Sequence, residues 1–349
     1  MNDSFRTIIA APDAERLDLF LTAARRLGTA VQNVEKDFWV CWTLDVLFNG
    51  RAGDAPRLLF KGGTSLSKAF GLIARFSEDI DITVFRADLG RETSLEALEA
   101  LSRRGRRRHL DAIKSACQAF IGGPLRESFV DVMSNVMKGA GVSEKRYRLE
   151  LDPDDRDQQS LLLWYPAVTT GPRDYVRPAV KIESGAKSAV DPNVLATLTP
   201  YVADDVPNLD LRVANITTVL AERTFWDKVI ILHGLRSWFE RRGQLRHGGQ
   251  RVSRHYYDVF CIAQSATGKQ ALKDRNLAVD CARHARMFFH SPDLDLEHAV
   301  PGTMELSPSP NMLDPLRRDY AAMSGMILGA APTFDEVIAA VATLETRLQ

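Results

Sequence analysis

Two aspartates separated by one residue, Asp79 and Asp81, are the side chains of this sequence best suited to chemistry. They lie in the alternating stretch Ser77-Glu78-Asp79-Ile80-Asp81-Ile82-Thr83-Val84. Side chains of a strand change face at every residue, so Asp79, Asp81 and Thr83 share one face and Ile80, Ile82 and Val84 the other. Two carboxylates on one face repel unless a cation sits between them. A hard divalent ion with oxygen ligands suits that place, Mg²⁺ above all, with Mn²⁺ as an alternative. Upstream, Leu58-Leu59-Phe60 reads as a buried strand, followed by Gly62-Gly63-Thr64-Ser65 and a helical period over 66–76. A strand, a glycine pair and a helix start together present backbone N–H groups to an anion. Phosphate at Gly62, Gly63, Thr64 and Ser65 and a metal at Asp79 and Asp81 describe a nucleoside triphosphate (NTP) site. A lone Gly-Gly is a turn and a lone Asp-x-Asp a solvated edge; both on one strand–helix–strand unit are a stronger signal. The Walker pattern GxxxxGK[ST] is absent.

The elements that must position these residues alternate between strand and helix patterns. Helices are predicted over 12–49, the second opening at Glu35-Lys36-Asp37 with Trp39 and Trp42 on its core face. Residues 86–145 are helical and charged. Strands follow at 147–151, 161–165 and 178–183. In the last of these, Lys181 and Glu183 share a face; Glu183 is a candidate third carboxylate, or one half of a surface ion pair. Residues 186–213 read as a connection, and from Asn215 the pattern turns helical, with Thr217 or Thr218 as cap. Lys228 lies in a strongly apolar stretch, which a helix tolerates if the amine snorkels or reaches a phosphate. Another helix starts at Arg254 and carries Asp258 one turn on, where a structural aspartate salt-bridged to Arg254 is the plain reading. The fold expected is α/β (α+β): a small mixed sheet with flanking helices, joined to a helical C-terminal half with the active cleft between. The expected domains are 1–205 and 206–349.

Composition bounds the function class. The 349 residues are 45% apolar and 26% charged with zero net charge, an ordinary globular balance, so any nucleic-acid surface must be local. Two basic runs offer one: Arg103, Arg104, Arg106, Arg107 and Arg108, and, in what reads as a mobile glycine-bearing loop over 236–254, Arg241, Arg242, Arg246 and Arg251. Each is otherwise a solvated face. Four cysteines without CxxC spacing argue against a zinc site or a disulfide scaffold and suit a reducing cytoplasm. No signal pattern or membrane-length apolar stretch is seen, so a cytoplasmic protein is expected.

The wording GGTSLSKAF…RFSEDIDI resembles the nucleotidyltransferase superfamily, and within it the AbiEii-type toxins of type IV toxin–antitoxin and abortive-infection systems. The likeness continues through VEKDFWVCWTLDVLF (34–48), AERTFWDKVIILH (221–233), RHYYDVF (254–260) and the C-terminal DYAAMSGMI and PTFDEVIAAVATLETRL, in order along nearly the whole chain. Gly63-Thr64-Ser65 stands where many members have Gly-Ser. The resemblance implies that Asp79 and Asp81, with Glu183, hold Mg²⁺ on an NTP, and that Gly63, Thr64 and Ser65 cradle its phosphates. It implies that Lys228 neutralises the triphosphate, and that Asp258 positions Lys228, the nucleotide or an attacking hydroxyl. It also implies an RNA acceptor, most often the tRNA 3′ end, a role in phage defence and a cognate antitoxin. Transfer to a protein or small molecule, and a non-catalytic nucleotide- or RNA-binding module, are the alternatives.

Overall fold

The structure is a computed structural model that describes residues 1–169, 177–249 and 251–349. Helices α1 (Ser4–Ala10), α2 (Asp13–Leu27) and α3 (Val31–Asn49) precede strand β1 (Leu58–Lys61), which passes directly into α4 (Gly62–Lys68). Strand β2 (Asp79–Val84) follows, then α5 (Leu95–Glu99), α6 (Arg103–Phe120) and α7 (Arg126–Gly139). Strands β3 (Arg148–Leu151), β4 (Ser160–Trp164), β5 (Ala179–Gly185), β6 (Asn193–Leu198) and β7 (Val213–Val219) complete a seven-stranded sheet of order β3-β4-β5-β2-β1-β7-β6. The remaining helices are α8 (Ala221–Arg242), α9 (Ser253–Gln264), α10 (Ala266–Ala271), α11 (Arg275–Phe288), α12 (Pro310–Met323) and α13 (Phe334–Leu348). The mixed α/β class expected from the sequence is the one observed.

The chain divides into two compact units. The first comprises Met1–Ala69, Phe76–Thr93 and Arg103–Thr218 and holds the sheet. Strand β2 runs antiparallel to β1 and parallel to β5, placing Lys61 and Glu183 on either side of Asp81, and Lys181 beside Asp79. Ile80, Ile82 and Val84 are buried as their alternation requires. Helix α3 buries Phe38, Trp39 and Trp42, with Trp39 stacked on Tyr165 (5.3 Å between centroids) and Trp42 edge-on to Phe129 (6.0 Å). The tryptophans are therefore core. The second unit comprises Phe70–Arg75, Ser94–Ser102 and Val219–Gln349. Its central helix α8 buries Phe225 and Trp226, and its last helix opens on a capping box between Thr333 and Glu336.

Four local expectations are corrected. The helix expected over 66–76 begins at Gly62 and ends at Lys68, and Gly71 at φ +62° is outside helical backbone. Residues 215–219 are not helical. Val213, Ile216, Thr217, Thr218 and Val219 form a β-branched strand beside β1, and the Thr218 hydroxyl donates to the Ile216 carbonyl (2.8 Å) instead of capping a helix. The connection 186–213 contains the edge strand β6. Helix α8 continues to Arg242, inside the supposed mobile loop, and stops at Gly243 with φ +65°.

Candidate active site

The carboxylate site is built at the junction of β1, α4 and β2. Gly62 adopts φ +80°, and a Cβ built there would lie 2.1 Å from Asp81 Oδ2. Only glycine lets the strand turn into the helix this close to the aspartate. Lys61 provides no side-chain cap for α4, so the first-turn N–H groups have no side-chain acceptor at that position. The hydroxyls of Thr64 and Ser65, expected to face a phosphate, turn inward. Thr64 lies 2.8 Å from Ser77 Oγ and donates to the Asp79 carbonyl, while Ser65 donates to Gly62 O (2.8 Å). Both side chains are fully buried and fasten the glycine turn to the strand that carries the aspartates.

Burial and the neighbouring Glu78 push the Asp79 carboxyl up to about 6, with Lys36 opposing and Glu183 and Asp81 adding to the rise. Asp81 has Lys61 Nζ at 3.8 Å. Glu183 sits in register beside Asp81 but is ion-paired to Lys181 at 2.9 Å; Lys181 also reaches Asp152 at 3.2 Å. Among the described residues, no group of three or more acidic, His or Cys side chains is arranged to hold a metal ion. The two-aspartate set still fits a hard divalent cation. It is oxygen-only, partly dehydrated and strained by like-charge repulsion, and Mg²⁺ is commonly held by one or two carboxylates with phosphate and water completing its shell.

A second cluster lies in the helical unit. Asp258 on α9 is fully buried and takes a bidentate fork from Arg75, Nε to Oδ1 at 2.7 Å and Nη2 to Oδ2 at 2.8 Å. Lys228 Nζ on α8 meets the same Oδ2 at 2.8 Å. Burial alone would raise the Asp258 carboxyl, but Arg75 and Lys228 hold it well below the usual carboxylate range. Burial pulls the Lys228 amine down, with Asp258 opposing and Arg75 and Arg254 reinforcing the fall. The adjacent His255 is kept neutral by burial and by those same cations. The structure brings Lys228 and Asp258 together and adds Arg75 as a partner of Asp258, where the plain reading was a salt bridge to Arg254.

With both clusters in view, the sequence comparison decides the family. Residues 45–340 match the family described as "Nucleotidyl transferase AbiEii toxin, Type IV TA system". The chain belongs to the AbiEii nucleotidyltransferase toxin family. No curated protein matches it. Among solved structures it is similar in fold to MenT4, a nucleotidyltransferase toxin from Mycobacterium tuberculosis H37Rv, at 16% identity and a TM-score of 0.50, covering 94% of this chain and 89% of that one. As an AbiEii protein the chain is a nucleotidyltransferase, the toxin component of a type IV system, and membership implies a cognate antitoxin. No described helix is long and apolar enough to cross a membrane.

The two basic runs of this AbiEii chain differ. Arg103, Arg104, Arg107 and Arg108 are exposed near the start of α6, whose first turn carries no acidic residue, and Arg106 is half-buried. In the other run, three side chains have partners within the chain. Arg241 donates to the Pro292 carbonyl, Arg242 pairs with Asp293 at 2.6 Å, and Arg246 lies over the Trp238 ring at 5.5 Å. The Arg251 amide donates to Asp319 (2.7 Å).

Several residues that frame the sites were given no such role in the sequence reading. Glu35, Lys36 and Asp37 are all buried. Glu35 accepts from the Val168 and Thr169 amides (2.7 and 3.1 Å), Lys36 pairs with Glu78 (2.7 Å), and Asp37 binds Lys68 (2.8 Å) and the Tyr201 amide (2.6 Å). The legible signal was three consecutive charges running into the apolar Phe38-Trp39-Val40. For Arg75 it was an arginine inside the apolar stretch FGLIARF.

Proposed function

We propose that this toxin transfers a nucleotide from an NTP to an RNA acceptor, the tRNA 3′ end above all, in a Mg²⁺-dependent reaction. The observation that carries this reading is the pair Asp79 and Asp81 on one face of β2, with Gly62 giving Asp81 its room. Asp79 and Asp81 are the residues that hold the divalent ion, and Glu183 flanks them, balanced by Lys181. A bound ion supplies charge neutralisation to the triphosphate and its leaving pyrophosphate. The uncapped start at Gly62, Gly63, Thr64 and Ser65 offers N–H groups to phosphate, while its two hydroxyls keep the turn rigid. Lys228 adds positive charge to the triphosphate and Asp258 fixes where that charge stands. Phosphoryl-type transfer is mostly positioning and charge stabilisation, and these residues supply both. The exposed arginines at 103, 104, 107 and 108 meet the phosphates of the acceptor, with Arg106 behind them.

The test is label transfer. Protein, Mg²⁺ and each α-labelled NTP in turn are incubated with total tRNA, beside an Asp79→Ala/Asp81→Ala control. Label on tRNA that disappears in the control is expected. Label on protein instead would replace the RNA acceptor. Glutamine at the four exposed α6 arginines should weaken RNA use and flatten its salt dependence, with NTP binding unchanged.

A further inference from the structure

Lys228 and Asp258 form a pair that, taken alone, would cancel. A lysine whose charge is already spent on a buried carboxylate has little left for a triphosphate. The structure adds a third member. Arg75 engages both oxygens of Asp258 through its planar fork, at 2.7 and 2.8 Å, while Lys228 touches Oδ2 alone at 2.8 Å. All three side chains are more than nine-tenths buried. A bidentate guanidinium is the stronger partner of a carboxylate, so among the described residues Arg75, Lys228 and Asp258 together keep a positive charge beside Lys228.

We propose that Arg75 is a positioning residue for the transfer reaction: by balancing Asp258 it leaves the Lys228 ammonium anchored in place with its charge available to the NTP triphosphate. The inference rests on the reading that Lys228 serves the triphosphate. Among the described residues, the charged and titratable groups that act on Lys228 include Asp258, Arg254 and His255 on α9 and Arg75 on the segment 70–75. Asp258 strengthens the proton's hold on Lys228, and Arg75 and Arg254 weaken it. His255 stays neutral.

The experiment compares Arg75→Gln, Arg75→Lys and Lys228→Met in the full-length protein by KM for Mg·NTP, kcat, the pH profile of kcat/KM and thermal midpoint. Arg75→Gln should raise KM about tenfold or more, the scale of a lost charge-assisted contact. It should also move the alkaline limb to higher pH, because removing a neighbouring cation tightens the Lys228 proton. Arg75→Lys keeps the charge without the fork, so the limb should stay in place and KM should fall between wild type and Arg75→Gln. A purely structural arginine predicts instead that both variants lose thermal midpoint and kcat together with the limb unmoved, and that result overturns the proposal. Unchanged KM in a folded Lys228→Met variant removes the underlying reading of Lys228, and this inference with it. An Arg75→Gln profile displaced while Lys228→Met shows its own KM loss supports both.

Discussion

The two clusters carry opposite charge imbalances. Around β2 the acids Glu78, Asp79, Asp81 and Glu183 stand among three amines, Lys36, Lys61 and Lys181, and Asp79 is pushed up to about 6 by burial and its acidic neighbours. In the helical unit the carboxylate of Asp258 stands between Arg75 and Lys228, and it is held well below its ordinary range. Among the described residues, the sheet site carries more acids than amines and the helical site more cations than carboxylates. A divalent cation relieves the first and a triphosphate the second. Each imbalance can be tested by measuring stability without any substrate.

The largest effect is expected at Asp258. Asp258→Asn leaves two buried cations facing each other and should destabilise the helical unit by about 3–5 kcal/mol, the cost of breaking a buried pair from one side. Lys228→Met leaves the Arg75 fork whole and should cost less than half as much. Chemical denaturation of the two variants checks this. Equal losses would mean that Lys228 is needed to balance Asp258, and the excess of positive charge would be wrong.

The opposite sign is expected at Asp79. Its folded carboxyl sits near 6, above its ordinary value of 3.8. A raised folded value contributes stability that is fully present below about pH 4 and is lost as pH rises through 6. In chelator at pH 7, Asp79→Asn should therefore stabilise the protein, by on the order of 2 kcal/mol, with the gain vanishing below pH 4. The same variant should lose transfer activity. A substitution that strengthens the fold while removing function marks a residue placed for a ligand. Loss of stability at pH 7 would instead show Asp79 to be a structural acid.

These contrasts explain what was legible in the sequence. Period-2 alternation placed Asp79 and Asp81 on one face because a half-buried strand must alternate. Gly62 stood out as half of a glycine pair between a strand and a helix start, while its closeness to Asp81 is seen only in the fold. The Arg75–Asp258–Lys228 cluster joins positions far apart in the chain, and no local period records such a contact. Lys228 and Asp258 were reached through family wording, and Arg75, which opens the quoted RFSEDIDI, was given no role. The stretch 213–219 was misread because its threonines suit a cap as well as a strand, and only pairing with β1 decides between them. The inward turn of Thr64 and Ser65 is likewise a tertiary fact, since a hydroxyl beside a glycine pair serves a phosphate or its own backbone equally well.

The smallest effect, and the one that defines the sheet site most sharply, concerns Glu183. It lies beside Asp81 in the sheet, yet its carboxylate is held by Lys181, and its side chain is 43% exposed. Glu183→Gln should change stability by under about 0.5 kcal/mol, as for other solvent-screened pairs. Lys181 keeps Asp152 as a partner in that variant. Transfer activity should stay within about tenfold of wild type, whereas Asp81→Asn should lose on the order of a thousandfold, the scale of removing one charge-stabilising group. A Glu183→Gln loss as deep as that of Asp81→Asn would mean that Glu183 leaves Lys181 to join the aspartates once the cation binds. The sheet site would then be a three-carboxylate centre, and Lys181 would be the residue that holds its third ligand in reserve.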